Sequence, residues 1–376
     1  MRRKYWLAAA AAAAVTTAGI VVPTITVQAE PSAAEIADGC AVHGSYEVCF
    51  NDPSQAGDGV DPTLENRLRE LTQQAGEGDS IRVSMFTWTR TEIAEDLVAA
   101  YERGVDVRIV LDGINKADQN EPWKILEASD IPLTSCSTRS CLGTNINHNK
   151  LYLFELGGVK SVVSSSANLT NSQLGLYNNM LKVDGDDKLY DFMMGFWNRM
   201  EAQSWTHDGV TWTDDDKAAV GSLATAGYAY PRQGDNVLWM LDSITECREG
   251  NNQIYVAQSL WTSPRTAIRD RLAELQDDLG CDVKVITESE EKMNWVQESG
   301  LRDENVGYLH ESHNKLFMVN AKYLDEWQQV VFVGSHNLTG TSLETNDEAI
   351  VRVGDPAITQ AYMDYYDAIF AKAGGV

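Results

Sequence analysis

The chain has 376 residues, 43% of them hydrophobic, which is enough for a large core or for two lobes. It carries 30 basic and 55 acidic residues, a formal net charge of −25 at pH 7. A field of that sign repels polyanions, so a general nucleic-acid-binding protein is disfavoured, although a few local cations can still hold one anionic group.

The amino terminus has the pattern of an export signal. Arg2, Arg3 and Lys4 precede an apolar, alanine-rich run, and Val27-Gln28-Ala29 supplies the small residues of a cleavage site. We therefore expect residues 1–29 to be a secretory signal, removed after Ala29, and the mature protein to be extracellular. An uncleaved membrane anchor is the alternative, and the adjacent arginines leave the export route open. Loss of the three basic residues leaves a net charge of −28.

The six cysteines predict a disulfide framework. All of them follow the predicted signal, and an even number of cysteines in an exported chain is typical of disulfide bonds. Proximity in sequence favours three pairs, with other pairings left open. The favoured pairs are Cys40–Cys49, Cys136–Cys141 and Cys247–Cys281. None of the spacings is that of a zinc site, so we expect the cysteines to be structural and to bind no metal.

The chain is an internal duplication. Residues 79–113 and 252–288 each consist of a β-run, a helix with apolar residues three to four apart, and a second β-run. Strands that alternate with helices in this way predict an α/β fold. We expect two tandem, similar α/β sandwich halves, related by a pseudo-twofold axis, at residues 30–204 and 236–376. The weakly periodic residues 205–235 are predicted to link them.

The tetrapeptide HNKL occurs twice, at residues 148–151 and 313–316. Two hydrophobic β-runs and then Ser-x-Asn-Leu-Thr follow each copy, which predicts a hairpin in each half. In the first copy Gly157-Gly158 predicts a tight turn, whereas the polar residues 320–329 predict a longer loop in the second copy. Because side chains alternate along a strand, the histidine and lysine of each His-x-Lys should share one face.

Two such segments, brought together, contain what cleavage of a phosphodiester needs. One neutral imidazole can attack phosphorus while the other, protonated, gives its proton to the leaving oxygen. The lysines and asparagines can hold the oxygens on which charge builds, and the serines offer hydroxyls at the same strand ends. These groups are Lys150, Lys315, Asn168, Asn337, Ser166 and Ser335. Because the lysines supply positive charge, we expect neither a metal nor another cofactor.

The two segments resemble the paired motifs of the phospholipase D superfamily, His-x-Lys-x4-Asp followed by Gly/Ser-Ser-x-Asn. The resemblance covers both halves of the chain and implies a phospholipase D-like fold and a phosphohistidine intermediate. By analogy with secreted bacterial phospholipases D, it implies that His148 is the nucleophile and His313 the general acid and base.

The chain departs from the superfamily pattern at a few positions. Glu155 and Asn320 stand where the motif has its Asp, and we expect changed hydrogen bonding at the strand ends rather than lost chemistry. The segment TNDEAIV, similar to the superfamily's Asn-x-Glu, contains Glu348, which we expect to orient His313. The first half has Asn178 and Asn179 at the matching position and no carboxylate.

The resemblance and the charge together predict a phosphoric diester hydrolase of the phospholipase D type. We expect a secreted monomer that binds phospholipid at a membrane or micelle surface, releases the head group and can transfer the phosphatidyl group to other alcohols. No nucleic-acid partner is expected. A metal-independent nuclease of the same superfamily and a non-catalytic, phosphate-binding member are the alternatives.

Overall fold

The structure, a computed structural model, describes residues 35–37, 39–136, 140–203, 224–232 and 234–375. The predicted signal at 1–29 and residues 205–223 of the predicted linker lie outside the described residues. Within the described ranges, no helix is both long enough and apolar enough to cross a bilayer.

The first half contains a nine-stranded mixed sheet in the spatial order β1-β2-β3-β9-β8-β7-β4-β5-β6. Its strands are β1 (Glu35–Ala37), β2 (Cys40–His43), β3 (Tyr46–Asn51), β4 (Ser80–Met85), β5 (Asp106–Leu111), β6 (Leu133–Ser135), β7 (Lys150–Leu156), β8 (Val159–Ser165) and β9 (Asn178–Asp184). Strands β4, β5 and β6 run parallel, and the other neighbours are antiparallel.

Five α-helices belong to the described residues of the first half. They are α1 (Thr63–Gln74), α2 (Thr91–Glu102), α3 (Gly113–Asp118), α4 (Glu121–Glu127) and α5 (Asp187–Glu201), and Asn171–Gly175 form a 3₁₀ turn. Helix α2 connects parallel strands β4 and β5 and buries Ile93, Ala94, Leu97 and Ala100, the three-to-four spacing that the sequence predicts. Its buried side chains belong to a hydrophobic cluster with those of α1, α4 and β4.

The second half repeats this plan in an eight-stranded sheet of order β10-β17-β16-β15-β12-β13-β14, with β11 paired to β15. Its strands are β10 (Thr225–Tyr230), β11 (Ile244–Glu246), β12 (Gln253–Gln258), β13 (Asp282–Thr287), β14 (Val306–Tyr308), β15 (Lys315–Tyr323), β16 (Glu326–Gly334) and β17 (Glu348–Val353). Its helices are α6 (Asn236–Asp242), α7 (Thr266–Leu279), α8 (Glu290–Gln297), α9 (Gly340–Glu344) and α10 (Pro356–Phe370), with 3₁₀ turns at Ser263–Arg265 and Asp303–Asn305.

The end of the predicted linker is part of the second sheet. Residues Thr225–Tyr230 form β10, which pairs antiparallel with β17. All six residues are buried, so the strand lacks the polar–apolar alternation by which sequence patterns reveal a half-exposed strand. The prediction of a linker is therefore wrong at these residues.

Both predicted hairpins form, but the second turn is tighter than predicted. Strands β7 and β8 meet at Gly157-Gly158, whose φ angles are 55° and 81°. Strands β15 and β16 pair as far as Tyr323 and Glu326, so residues 320–329 contain only a two-residue turn. Leu324 and Asp325 in that turn have φ angles of 52° and 64°, the positive values that such hairpin turns require.

The two halves share one hydrophobic core. Strands β8 and β9 of the first sheet contact β16 and β17 of the second, and α10 packs on both sheets. Leu181 of β9 and Leu316 of β15 belong to the same buried cluster. The predicted α/β fold of two tandem, similar halves is confirmed.

All six cysteines are paired, and the favoured pairing is confirmed. Cys40 bonds Cys49 across adjacent strands β2 and β3, Cys136 bonds Cys141 within one loop, and Cys247 bonds Cys281 before β13. A disulfide sulfur is not free to bind a metal ion, although carboxylates lie beside two of these pairs.

Candidate active site

The two His-x-Lys segments have the same local geometry. Each lysine is the first residue of a hairpin strand, and its ammonium folds back onto its own histidine. Lys150 Nζ donates to the carbonyl of His148 at 2.7 Å, and Lys315 Nζ donates to the carbonyl of His313, also at 2.7 Å. Both lysines are buried, with exposures of 1% and 3%, so their position is set by packing as well as by these bonds.

The serines of the Ser-x-Asn segments connect each hairpin to the following strand by hydrogen bonds. Ser166 Oγ accepts from the Asn179 amide at 3.0 Å and donates to Asn178 Oδ1 at 2.8 Å. Ser335 Oγ accepts from the Ala349 amide at 3.1 Å in the same way. The hydroxyls therefore position β9 and β17 rather than facing a reacting group.

The two asparagines of these segments differ from each other. Asn337 Oδ1 accepts from Ser259 Oγ at 3.0 Å, whereas the buried Oδ1 of Asn168 has no hydrogen-bond partner in the described part of the chain. A phosphate oxygen accepts hydrogen bonds, so the group of either asparagine that can bind it is the Nδ2 amide, not this oxygen.

Each histidine is held by a residue from the opposite half. His148 Nδ1 lies 2.9 Å from Glu348 Oε2, and His313 Nδ1 lies 3.1 Å from Asn178 Oδ1. A carboxylate only accepts, so His148 donates from Nδ1 and its Nε2 keeps a free lone pair. Asn178 Oδ1 also accepts from Ser166, which makes it the acceptor for His313 as well. Glu348 therefore orients His148, and the prediction that it orients His313 is wrong.

Each histidine contacts a residue of the opposite half because backbone hydrogen bonds connect the two halves next to both histidines. The amide of His148 donates to the carbonyl of Asp347 at 2.9 Å, and the amide of His313 donates to the carbonyl of Tyr177 at 2.9 Å. Short parallel bridges, Asn147 with Asp347 and Tyr177 with Ser312, bring the start of β17 to the first histidine and the start of β9 to the second. The residue that opens each strand then lies against the other half's imidazole.

Asp347 is a site residue that the sequence patterns did not single out. Its fully buried carboxylate accepts from the backbone amides of Cys141, Leu142 and Gly143 at 2.5 to 3.2 Å. These amides belong to or directly follow the loop closed by the Cys136–Cys141 disulfide. Asp347 thereby fixes the start of β17, and with it Glu348, to the loop that leads to His148.

Burial and mutual repulsion set the protonation of the site. Burial, and then the charges of the two lysines, lower the pKa of His313 well below 6.5. Burial also lowers the pKa of His148, but the Glu348 carboxylate opposes that effect. Burial lowers the pKa of Lys150 to about 7, and burial with repulsion from Lys150 lowers the pKa of Lys315. Burial acts to raise the pKa of Glu348, yet His148 and neighbouring cations hold it at about 2.

The positions of Glu155 and Asn320 are not part of the site. Glu155 lies five residues along β7 from Lys150, roughly 16 Å away at the usual rise of a strand. Asn320 donates to Gln253 Oε1 at 2.7 Å and to the carbonyl of Gly250 at the far end of β15. Both residues belong to the ends of the hairpin strands remote from the histidines, so Glu155 is not brought to the site as a supporting residue.

His336 is a further residue that sequence reasoning missed. It stands between Ser335 and Asn337, where the first half has Ala167 between Ser166 and Asn168. It is 1% exposed and stacks on Tyr230 with ring centroids 4.1 Å apart. Its presence in only one of two otherwise similar motifs was the available signal.

Two α/β halves that contribute matched His/Lys pairs to one centre define the class of duplicated phosphodiester-processing proteins. The family described as "Cardiolipin synthase, PLD-like domain" matches residues 68–201 and 240–370, which is most of the chain. The chain belongs to this family, within the phospholipase D superfamily, whose members process phosphodiesters. The predicted superfamily is thus confirmed.

Solved structures share the fold at low sequence identity. Phosphatidylserine synthase from Haemophilus influenzae is 14% identical with a TM-score of 0.53, and the match covers 86% of each chain. Polyphosphate kinase from Porphyromonas gingivalis is 12% identical with a TM-score of 0.55 over 86% of this chain. This chain spans 50% of the length of that kinase. No curated protein sequence matches the chain at a significant level.

Proposed function

We propose that this protein is a secreted phospholipase D, which hydrolyses the bond between the phosphate and the head group of a phospholipid through a phosphohistidine intermediate. The observation that carries the proposal is the crossed pairing of the histidines: Glu348 on His148 and Asn178 on His313. Both contacts use Nδ1, and because His148 donates from Nδ1 its Nε2 lone pair is left for a substrate. A protein that only bound phosphate would not need two imidazoles held in this way.

The crossed pairing also favours His148 as the nucleophile. Attack on phosphorus places positive charge on the attacking ring, and the Glu348 carboxylate stabilises that charge. His313 contacts a neutral carboxamide, so its protonated form is less stabilised and releases its proton more readily. In this proposal His148 is the nucleophile, His313 is the general acid and base, and Glu348 stabilises the positive charge on His148.

In the first step, His148 Nε2 forms a bond to phosphorus and the bond from phosphorus to the head-group oxygen breaks. Protonated His313 gives its proton to that oxygen, so the head group leaves as a neutral alcohol and His313 becomes neutral. In this proposal Lys150, Lys315 and the Nδ2 amides of Asn168 and Asn337 hold the non-bridging oxygens. Arrival of the anionic phosphate favours the protonated lysines, whose charge then opposes the charge that develops on these oxygens.

In the second step, neutral His313 takes a proton from water, and the water oxygen attacks phosphorus. The phosphorus–nitrogen bond breaks, which releases phosphatidate and restores His148 and protonated His313. An alcohol in place of water gives a new phosphodiester, so transfer is the same chemistry with another acceptor.

Charge supports a lipid rather than a nucleic acid as substrate. The mature chain would carry a net charge of −28, which repels a polyanion but not a zwitterionic lipid surface. The description of the matching family also names a synthase of a phospholipid. Three disulfides support an extracellular location. Because one chain supplies both motifs, a monomer suffices.

The test is release of choline and ethanolamine from mixed phospholipid micelles by the purified mature protein in excess chelator. We expect release by the wild type, loss of at least about 10²-fold in His148→Ala and His313→Ala, and near wild-type release by the matched control His310→Ala. His310 is exposed, and its imidazole contacts the carbonyl of Glu288 through Nδ1 and the ring of Tyr308. Cleavage of plasmid or RNA without release of head groups would instead identify a nuclease.

An activated substrate separates the roles of the two histidines. A p-nitrophenyl phosphodiester releases p-nitrophenolate, a leaving group that does not need a proton from a general acid. The His313→Ala variant should therefore form the phosphohistidine, but it should hydrolyse that intermediate slowly because no base activates the water. We expect that variant to accumulate one phosphoryl group, found by mass spectrometry on the peptide with His148. His148→Ala should accumulate none. The reverse result would exchange the two roles.

A further inference from the structure

A buried arginine beside the catalytic centre has no partner for its charge among the residues that the structure describes. Arg232 follows strand β10 and is 4% exposed, and its buried Nη1 has no hydrogen-bond partner among those residues. Within the described residues, its guanidinium makes no ion pair and no hydrogen bond. Its contacts are with two aromatic rings, Tyr228 and Tyr230, whose centroids lie 5.8 and 6.0 Å from Cζ. Such contacts offset burial of a cation only in part and satisfy none of the five N–H donors.

His336 adds a second unpartnered donor in the same place. Its Nε2 lies 3.0 Å from Arg265 Nη1. A guanidinium only donates, so Nε2 accepts and the proton of the neutral ring is on Nδ1. That Nδ1 is buried and has no hydrogen-bond partner in the described part of the chain. His336 and Arg232 both pack on Tyr230, and the positive charge of Arg232 contributes to lowering the pKa of His336.

The neighbouring groups do not supply the missing acceptor. Arg265 is neutralised by Asp235, whose Oδ1 lies 2.7 Å from Nη2 and whose Oδ2 lies 2.6 Å from Nε. Glu348 is engaged by His148 and Asn346. The cluster of Arg232, His336, Arg265 and Asp235 therefore has more donors and more positive charge than it has acceptors.

The cluster adjoins the catalytic centre and has no counterpart in the first half. Tyr230 lies directly opposite Glu348 in the pairing of β10 with β17, and His336 lies between two motif residues. In the first half Asn51 lies opposite Asn178 in the same way. The positions that match Arg232 and His336 are then Pro53 and Ala167, neither of which offers a side-chain donor. The donors are thus an addition to the duplicated machinery rather than a part of it.

We propose that Arg232 and His336 bind an oxyanion, a phosphate or carboxylate group, at a subsite next to the catalytic centre. A planar guanidinium binds both kinds of anion through two parallel hydrogen bonds, and the Nδ1–H of His336 supplies a third donor. The anion has two sources: a second acidic group on the substrate itself, or free inorganic phosphate. The substrate source rests on the proposed function, whereas binding of inorganic phosphate does not.

The deciding experiment is calorimetric titration of the mature protein with inorganic phosphate. We expect two sites in the wild type, one in the catalytic centre and one at Arg232. Arg232→Met should lose one site, and the double variant Lys150→Met/Lys315→Met should lose the other. Arg302→Gln, which changes an exposed arginine, should keep both. An Arg232→Met protein that folds and binds as much phosphate as the wild type would overturn the proposal.

A charge-conserving variant keeps the test decisive if Arg232→Met does not fold. Arg232→Lys retains the charge but not the planar fork, so we expect phosphate to bind the second site at least about tenfold more weakly. Unchanged affinity would count against the subsite.

Two lipids that differ by one carboxylate identify the source of the anion. Phosphatidylserine has a carboxylate in its head group that phosphatidylethanolamine lacks. If the substrate fills the subsite, Arg232→Met should lower kcat/KM for the serine lipid about tenfold more than for the ethanolamine lipid. An unchanged ratio, together with loss of the calorimetric site, would assign the subsite to free phosphate. If neither lipid is cleaved, the proposed function fails, but the calorimetric result still stands.

Discussion

Glu348 accepts a hydrogen bond from His148 at 2.9 Å across the boundary between the two halves, although the residues are 200 positions apart in sequence. In the matching contact of the other half, Nδ1 of His313 lies 3.1 Å from the oxygen of a neutral carboxamide, that of Asn178. A site built from duplicated motifs is therefore electrostatically unsymmetrical. That difference gives the two imidazoles different tasks, and it leads to predictions that a symmetrical site would not make.

The pH dependence of kcat/KM should have its optimum below pH 6.5. The reaction needs neutral His148 together with protonated His313, and burial lowers the pKa of both rings. Activity should therefore fall above the higher of the two pKa values, where both rings are neutral, and below the lower one, where both are protonated. A profile of kcat/KM against pH on a zwitterionic lipid checks this. An optimum above pH 7.5 would contradict the assigned protonation states.

Glu348→Gln should move that pH profile to lower pH and reduce kcat. The carboxylate raises the pKa of His148, so its removal lowers that pKa further, while glutamine keeps an acceptor for Nδ1. Loss of the stabilising charge should reduce kcat on the order of 10²-fold or more. Glu326→Gln removes an exposed carboxylate at the start of β16 and should leave the profile unchanged. An identical profile in both variants would exclude a role for Glu348 in catalysis.

Asn178→Asp should have the opposite electrostatic effect on the other histidine. A carboxylate beside Nδ1 raises the pKa of His313, so the pH profile of kcat/KM should move to higher pH. The variant also loses the donation from Asn178 Nδ2 to the carbonyl of Gln173, which should destabilise it by about 1 kcal/mol. Asn66→Asp adds the same charge at an exposed position and is the matched control. A shift in both variants would indicate net charge alone.

The parts of the site that the sequence predicts are those set within one hairpin. His148 with Lys150 and Ser166 with Asn168 are close in sequence, and strand geometry alone brings each pair together. The partner of His148 depends on how β17 meets the opposite half. No spacing within one repeat contains that information, so the sequence pattern pairs Glu348 with the histidine of its own half.

The turn of the second hairpin is another feature that the sequence pattern alone does not predict. Residues 320–329 are mostly polar, which is typical of a loop, yet they continue β15 and β16 almost to their ends. Leucine disfavours a positive φ, so Leu324 carries no signal for a two-residue turn. Pairing with the neighbouring strands outweighs the local preference there.

Lys150→Met should stabilise the protein at neutral pH while it reduces activity. Burial lowers the pKa of Lys150 to about 7, below the 10.5 of the unfolded chain. Between these values the unfolded state binds the proton more tightly, so wild-type stability should rise as pH increases from 7 to about 10. Methionine removes this effect, which is on the order of a few kcal/mol at pH 7. Urea unfolding at several pH values measures the free energy of unfolding as a function of pH. If that free energy changes equally with pH in the wild type and in Lys150→Met, the assigned pKa of Lys150 is contradicted.

The disulfide Cys136–Cys141 should matter more for activity than for stability. It closes a short loop, and removing it by Cys136→Ser/Cys141→Ser should cost about 2 kcal/mol on loop entropy alone. The same loop supplies the amides that hold Asp347 beside Glu348, so we expect kcat to fall at least about tenfold. Cys247–Cys281 closes a longer loop, so Cys247→Ser/Cys281→Ser should cost about 4 kcal/mol, but with a smaller loss of kcat. Guanidinium unfolding and head-group release on the two double variants give both quantities. If activity instead follows stability in both variants, the loop does not position Glu348.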